Sequence, residues 1–255
     1  MPGMITVEQD TLPRVDNREP PILLIAHGSA RYAEAARPAL AQLPRLRAAA
    51  PGRCVTLGLL AGRPGVSDTL ARIDAPAIRA VPFFMEDGYF VRVAVPRAIG
   101  GDRRVTRCRP VGVHPGMADV IAGHARDGCA ARDLVPAEVA LLLVGHGSAS
   151  APGRAMALRR HAAALAASSL FQTVHIAHLE EPPLLADALA ALRPWPVAVV
   201  GFFAGEGKHV RDDVPAALAA ETATRAGSAG VVHNFGSVAD NPALARIILD
   251  QAASD

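Results

Sequence analysis

The sequence predicts an α/β protein made of two related lobes, each with a mainly parallel sheet between layers of helices. Three observations predict it. The first is an internal repeat. Pro21-Ile22-Leu23-Leu24-Ile25-Ala26-His27-Gly28-Ser29 returns as Val139-Ala140-Leu141-Leu142-Leu143-Val144-Gly145-His146-Gly147-Ser148, at an offset of 146 − 27 = 119 residues. The same offset carries Asp68-Thr69-Leu70 onto Asp187-Ala188-Leu189, Phe83-Phe84 onto Phe202-Phe203, Gly88 onto Gly207 and Pro96 onto Pro215. Such a pattern marks two matched halves and not a short solenoid repeat. The second observation is the alternation of strand-like and helix-like segments in each half, the pattern of a parallel α/β layer fold. The third is that runs such as 139–144 are apolar without interruption, as a strand covered on both faces requires.

Taken in order, the first half offers strands at 22–26, 55–60 and 78–84, with a weaker fourth at 105–113. Helical segments fit at 32–49, 66–73 and 115–126. The second half opens on the strand at 139–144 and continues with a helix at 153–167, a strand at 174–179 and a helix at 183–192. A strand at 197–203, a helix at 208–224, a strand at 230–235 and a helix at 242–252 complete it. The stretch 127–138 holds Gly128, Pro136 and a denser set of charges, and reads as the linker. The expected organisation is a flexible leader at 1–20, a first lobe at 21–130 and a second at 138–255. The leader is polar, carries Pro2, Pro13 and Pro20, and lacks the apolar core of a signal peptide.

Composition narrows the class. Hydrophobic residues make up 51% of 255, enough for two ordinary cores, and only 4% are aromatic, so those cores are aliphatic. Basic and acidic residues number 26 and 24, a net charge of +2 that draws the chain to neither nucleic acid nor membrane. Cys54, Cys108 and Cys129 form no C-x-x-C pair, which argues against an iron–sulfur cluster or zinc knuckle and fits a reducing cytoplasm. No apolar run approaches the ~18 residues of a membrane span.

The chemistry-bearing residues gather where parallel strands end. His146 closes the first strand of the second half, Glu180 the second, and His209 follows the third. That edge is where open α/β sheets bind ligands. Two imidazoles and a carboxylate suit a divalent first-row metal, and a neutral imidazole can also take a proton. Gly147 permits close backbone approach, and Ser148 is placed to cap the next helix. Each has a bland alternative: His146 bonded to its own turn, Glu180 a solvated charge, His209 a first-turn helix residue. The first half keeps His27 and Ser29 but has Ala61 opposite Glu180, Phe90 opposite His209 and Val93-Ala94 opposite Asp212-Asp213. Phe90 and Tyr89 then offer a wall to a flat ligand, or else core residues on a first helical turn. Arg31, Arg63, Arg92, Arg154, Lys208 and Arg211 lie near the two edges and would favour a polycarboxylate, if they are more than solvated surface. His124, His161, His175 and His233 have no partner pattern and read as structural; His178 is a secondary cleft residue, and His114-Pro115 opens a helix near the expected interdomain edge.

The elements Val144-Gly145-His146-Gly147-Ser148, Leu179-Glu180 with Pro183, and Gly207-Lys208-His209-Val210-Arg211-Asp212-Asp213-Val214-Pro215 resemble the sirohydrochlorin chelatase family, the CbiX-type class II chelatases. The resemblance covers about 21–253 and implies a chelatase-like, flavodoxin-like topology. It implies ATP-independent insertion of a divalent metal into sirohydrochlorin, an octacarboxylate tetrapyrrole. Carried over by motif, His146, His209 and Glu180 are the catalytic and metal-holding set. His27, Ser29, Ser148, Phe90, Arg211 and Lys208 are substrate-binding. The metal, Fe²⁺ or Co²⁺, is substrate, and no cofactor is permanently bound. The chain lacks the His-rich tail and cysteine cluster of some longer cobalt-handling relatives, which tilts the expectation to iron and siroheme. A cobaltochelatase of cobalamin synthesis and a non-catalytic carrier are the alternatives. A phosphoryl-transfer enzyme with a His nucleophile would need Arg before the His-Gly pair, where Ala26 and Gly145 stand, and the esterase motif G-x-S-x-G is missing at these turns. Internal duplication can replace a homodimer, so a monomer is expected.

Overall fold

A computed structural model of the chain describes residues 19–30, 32–150, 153, 155–192, 195–207, 209–224 and 230–254, with Ala33 and His209 described in backbone only. The expected leader lies outside these residues apart from Glu19 and Pro20.

The first half of the chain contains β1 (Ile22–Gly28), α1 (Arg37–Ala49), β2 (Val55–Ala61), α2 (Val66–Arg72), β3 (Ile78–Pro82), α3 (Val95–Ile99) and β4 (Val105–Arg107). Its strands pair in parallel in the order β2-β1-β3-β4. Ile22, Leu23, Leu24 and Ile25 are fully buried, because helices cover both faces of β1. On one face Leu23 and Ile25 join Val66, Leu70, Val95 and Ile99 from α2 and α3. The expected fourth strand at 105–113 stops at Arg107. Pro110 can donate no ladder bond, and a short 3₁₀ turn, Val111–Val113, follows it.

The second half repeats the plan with α4 (Met117–Ala130), β5 (Ala140–Gly145), α5 (Met156–Ala167), β6 (Thr173–His178), α6 (Leu185–Ala191), β7 (Val197–Gly201), α7 (Val214–Thr224), β8 (Val232–Ser237) and α8 (Leu244–Ala253). The order is β6-β5-β7-β8, again parallel. Every residue of β5 is buried, as its unbroken apolar run requires. Ala140, Leu142 and Val144 pack with Leu185, Leu189, Val214 and Leu218 of α6 and α7.

The repeat extends to backbone detail. Gly28 and Gly147 both have a positive φ, 66° and 70°. The cis bonds Arg63-Pro64 and Pro182-Pro183 stand at the same repeat position, 183 − 64 = 119. A π-helical turn opens the helix after the third strand in each half, Phe90–Ala94 and His209–Asp213.

The compact units do not follow the repeat boundary. The first runs to His114 and takes in Ala204–Gly207 and Pro242–Asp255; the second comprises Pro115–Phe203 and Lys208–Asn241. Helix α8 therefore packs with α1 and β3, while α4 packs with α5, β7 and β8. The expected lobes 21–130 and 138–255 are corrected at these two helices. The expected linker also changes: α4 runs on to Ala130, and a 3₁₀ turn, Pro136–Glu138, leads into β5. An amphipathic stripe says that a helix is covered, not which sheet covers it. Among the described residues no helix is long and apolar enough to cross a membrane.

Candidate functional site

In the second unit the chain leaves β5 to one side to build β6 and returns on the other side to build β7. The carboxyl end of β5 is thus a topological switch point, the place where open α/β sheets take ligands. His146 is the first residue beyond β5, and its side chain is exposed. The exit of β6 is sewn to it: the N–H groups of Leu179 and Glu180 both donate to the His146 carbonyl, at 3.1 and 3.0 Å. The His146 ring stands edge-on to Phe203, centroids 5.7 Å apart. Phe203 belongs to the buried cluster with Val144, Val214 and Leu218, and Leu179 and Val210 pack against that cluster. The imidazole therefore rests on an apolar floor, with Leu179 turned down to the core and Glu180 exposed at the rim.

The sequence brings three candidate ligands to this edge, and the structure places two of them on adjoining strand exits. His209 begins the π-helical turn after β7; its side chain, like Lys208, lies outside the described residues. Arg211 is exposed on the same turn. Among the described residues no group of three His, Cys, Asp or Glu is close enough to hold a metal ion. Ser148 Oγ lies 3.2 Å from Ser150 Oγ. It does not cap the helix that follows, because α5 starts at Met156 with Ala155 at its N-cap position.

The first unit shows the same positions with different chemistry. His27, exposed near the end of β1, donates from Nδ1 to the Gly28 carbonyl at 2.6 Å, so Nε2 carries the lone pair of the neutral ring. Its ring meets Phe90 edge-on at 4.5 Å. Phe90 stacks on Phe84 at 5.9 Å and meets Tyr89 at 5.7 Å. Phe90 and Tyr89 are 41% and 63% exposed, so they form an open aromatic face and not a helix core. Ser29 Oγ accepts the Tyr32 N–H at 3.1 Å.

Two of the expected basic residues face acidic partners. Arg92 donates to Asp87 at 3.0 Å, and that bond lifts its guanidinium above its ordinary value. Arg63 stands 4.0 Å from Asp68. Arg31 and Arg154 lie outside the described residues. Two of the histidines read as structural are so placed: His161 is buried edge-on to Phe202, and His124 Nε2 donates to the Phe235 carbonyl.

Sequence reasoning passed over Glu181. It is 2% exposed, its Oε2 accepts the Gly153 N–H at 2.7 Å, and its Oε1 lies 3.6 Å from Nε2 of the fully buried His178. Burial pushes the His178 imidazole below its ordinary value; Glu181 opposes that shift and Arg159 adds to it. At 3.6 Å the contact is too long for a hydrogen bond, and a neutral imidazole makes no ion pair. The available signal was the repeat, because Leu59 and Gly62 occupy these two positions in the first half.

The CbiX family profile matches residues 21–127 and 140–254. Across 219 residues the chain is 23% identical to a Halobacterium salinarum protein named "Probable sirohydrochlorin cobaltochelatase", covering 76% of this chain and 75% of that one. The crystal structure of DR2241 from Deinococcus radiodurans, a multi-domain protein with structural similarity to chelatases and two additional domains, is 31% identical with a TM-score of 0.81. That match covers 92% of this chain, which spans 55% of the Deinococcus protein. The structure of CbiX, the terminal enzyme of siroheme biosynthesis in denitrifying bacteria, is 27% identical with a TM-score of 0.70, over 92% of this chain and all of that one.

Proposed function

We infer that this chain, which belongs to the CbiX family of sirohydrochlorin chelatases, inserts a divalent metal into sirohydrochlorin, with Fe²⁺ as the preferred ion and siroheme as the product. His146, His209 and Glu180 hold the ion and accept the displaced protons. The observation that carries this reading is the geometry of the repeat. A residue opening the π-helical turn, Phe90, lies 4.5 Å from the strand-end His27. His209 opens the matching turn of the second unit, and His146 holds the matching strand end. In the first unit the side chains at these two positions meet, and the second unit has a histidine at both.

Metal insertion must strip water from the ion and remove two pyrrole protons. A neutral imidazole at the exposed rim can do either, since its lone pair binds a cation or takes a proton. The apolar floor of Phe203 and Leu179 holds His146 from below and lowers the local dielectric, which strengthens the interaction between ion and ligand. In the first unit the open face of Tyr89 and Phe90, the latter backed by the buried Phe84, presents flat rings suited to a flat macrocycle. His27 and Ser29 border that face, while Ser148, Arg211 and Lys208 offer donors and charge to the substrate carboxylates. A chain with two such halves has no need of a second copy, and a monomer is the proposed working form.

Iron is preferred because the 27%-identical structure matched along its whole length is an enzyme of siroheme biosynthesis. The Halobacterium relative favours cobalt as the second reading. Anaerobic incubation with sirohydrochlorin and each metal in turn, followed by absorbance, separates the two. Faster insertion of Fe²⁺ than of Co²⁺ in direct competition supports the first. His146→Ala and His209→Ala are expected to abolish insertion, and His27→Ala to reduce it less. Full activity in His209→Ala would remove the proposed site.

A further inference from the structure

The buried pair beneath the His146 turn has no role in the chemistry above, yet the chain maintains it against a cost. His178 and Glu181 are 0% and 2% exposed. Neither ring nitrogen of His178 and only one carboxylate oxygen of Glu181 has a hydrogen-bond partner among the described residues. Buried polar atoms left unmatched destabilise a fold, and apolar side chains of similar volume would serve the core better. The same fold supplies that comparison. At the equivalent positions the first unit has Leu59 and Gly62, by 178 − 59 = 119 and 181 − 62 = 119. The polar pair is therefore confined to the unit that carries both strand-edge histidines and the rim carboxylate.

Its contacts explain the confinement. A Cβ placed on Gly147 would lie 2.7 Å from Glu181 Cγ and 2.8 Å from His178 Cβ, so the two side chains clasp the backbone immediately after His146. Glu181 Oε2 holds the Gly153 N–H at the far end of the same loop. Between the two, Leu179 and Glu180 bond the His146 carbonyl. Four successive residues, 178–181, thus grip the turn at three points. In the first unit a Cβ on Gly28 would instead meet Ala61 O and Leu59.

We propose that His178 and Glu181 are positioning residues for metal insertion: together they lock the turn His146-Gly147-Ser148 and so fix the imidazole of His146 for its ion. This rests on the chelatase reading, and it acts entirely through His146, because the pair is sealed from solvent.

The test transplants the first unit's own solution into the second, as the double variant His178→Leu/Glu181→Gly, alongside Glu181→Gln, which keeps an acceptor for the Gly153 N–H. Thermal midpoint, anaerobic insertion kinetics and Co²⁺ binding by visible absorption are read for each. The double variant is expected to fold, its midpoint lowered by loss of the Gly153 N–H bond and partly restored by removal of the unmatched buried polar atoms. Its kcat and its Co²⁺ affinity are expected to fall about 10–100-fold, the usual cost of losing an outer support of a ligand, with KM for sirohydrochlorin little changed. Glu181→Gln is expected to retain kcat within about threefold. The proposal is overturned by a folded double variant with the parent's kcat, by a double variant that does not fold, or by equal losses in Glu181→Gln and the double variant. If the unaltered protein inserts no metal at all, the chelatase reading has failed on its own account. Co²⁺ affinity then decides the pair: weaker binding in the folded double variant supports it, and equal binding overturns it.

Discussion

Gly147→Ala is a sharp probe of how the His146 turn is held. Gly147 has φ 70°, in the left-handed region where an L side chain costs about 1–2 kcal/mol. Its new methyl would also sit 2.7 Å from Glu181 Cγ and 2.8 Å from His178 Cβ, separations that real side chains do not tolerate. These neighbours are close to their own backbones and cannot swing aside freely. Displacing Glu181 breaks its bond to the Gly153 N–H, and a hydrogen bond to a charged group contributes about 1.5–3 kcal/mol. Together the two effects predict a loss of about 2.5–5 kcal/mol. Gly100 is the control: it ends α3 at φ 66° with nothing within 4 Å of an added Cβ, so Gly100→Ala should lose only the conformational part, about 1–2 kcal/mol. Urea unfolding followed by circular dichroism gives both values, provided the slope is unchanged between variants. Equal losses in the two variants would refute the reasoning, because they would mean that the turn is not packed against 178–181.

Leu142→Ala deletes a fully buried side chain from the centre of β5 and should destabilise by about 2–5 kcal/mol in the same assay. Phe90→Ala removes one ring of the open aromatic face; with such ring pairs contributing about 0.5–1.5 kcal/mol, KM for sirohydrochlorin should rise about 2–12-fold with kcat nearly constant. Burial holds the imidazoles of His175 and His233 below their ordinary value, Arg132 adding to the shift for His233. The unfolded chain then binds more protons than the folded one as pH falls below about 6.5, so stability should decline on acidification through that value and recover above it. Urea midpoints between pH 5 and 7.5 measure the slope, and His233→Gln should flatten it; a midpoint that rises on acidification across that window would contradict the assignment.

Much of this was legible in the chain. The unbroken apolar runs announced β1 and β5, because a central parallel strand must be apolar on both faces. The 119-residue offset located the two histidine turns before any coordinates. Three things were not legible. The repeat could not reveal that α4 and α8 pack with the unit their sequence position did not assign them, because the stripe on a helix carries no address. Ser148 looked like a helix cap, but the chain travels on to Met156 before α5 begins, and only the path of the loop shows it. Glu181 was passed over beside Glu180. The two differ by one step along the chain, and that step sends Glu180 to the rim and Glu181 beneath Gly147.

The most direct test is where the ion sits. Crystals of the protein grown with Co²⁺ and measured at the cobalt absorption edge should show one anomalous peak about 2.0–2.2 Å from a ring nitrogen of His146 and from a ring nitrogen of His209, the spacing usual for an imidazole on a first-row ion. A peak on His27 in place of these two, or a site that survives intact in His209→Ala, would contradict the account.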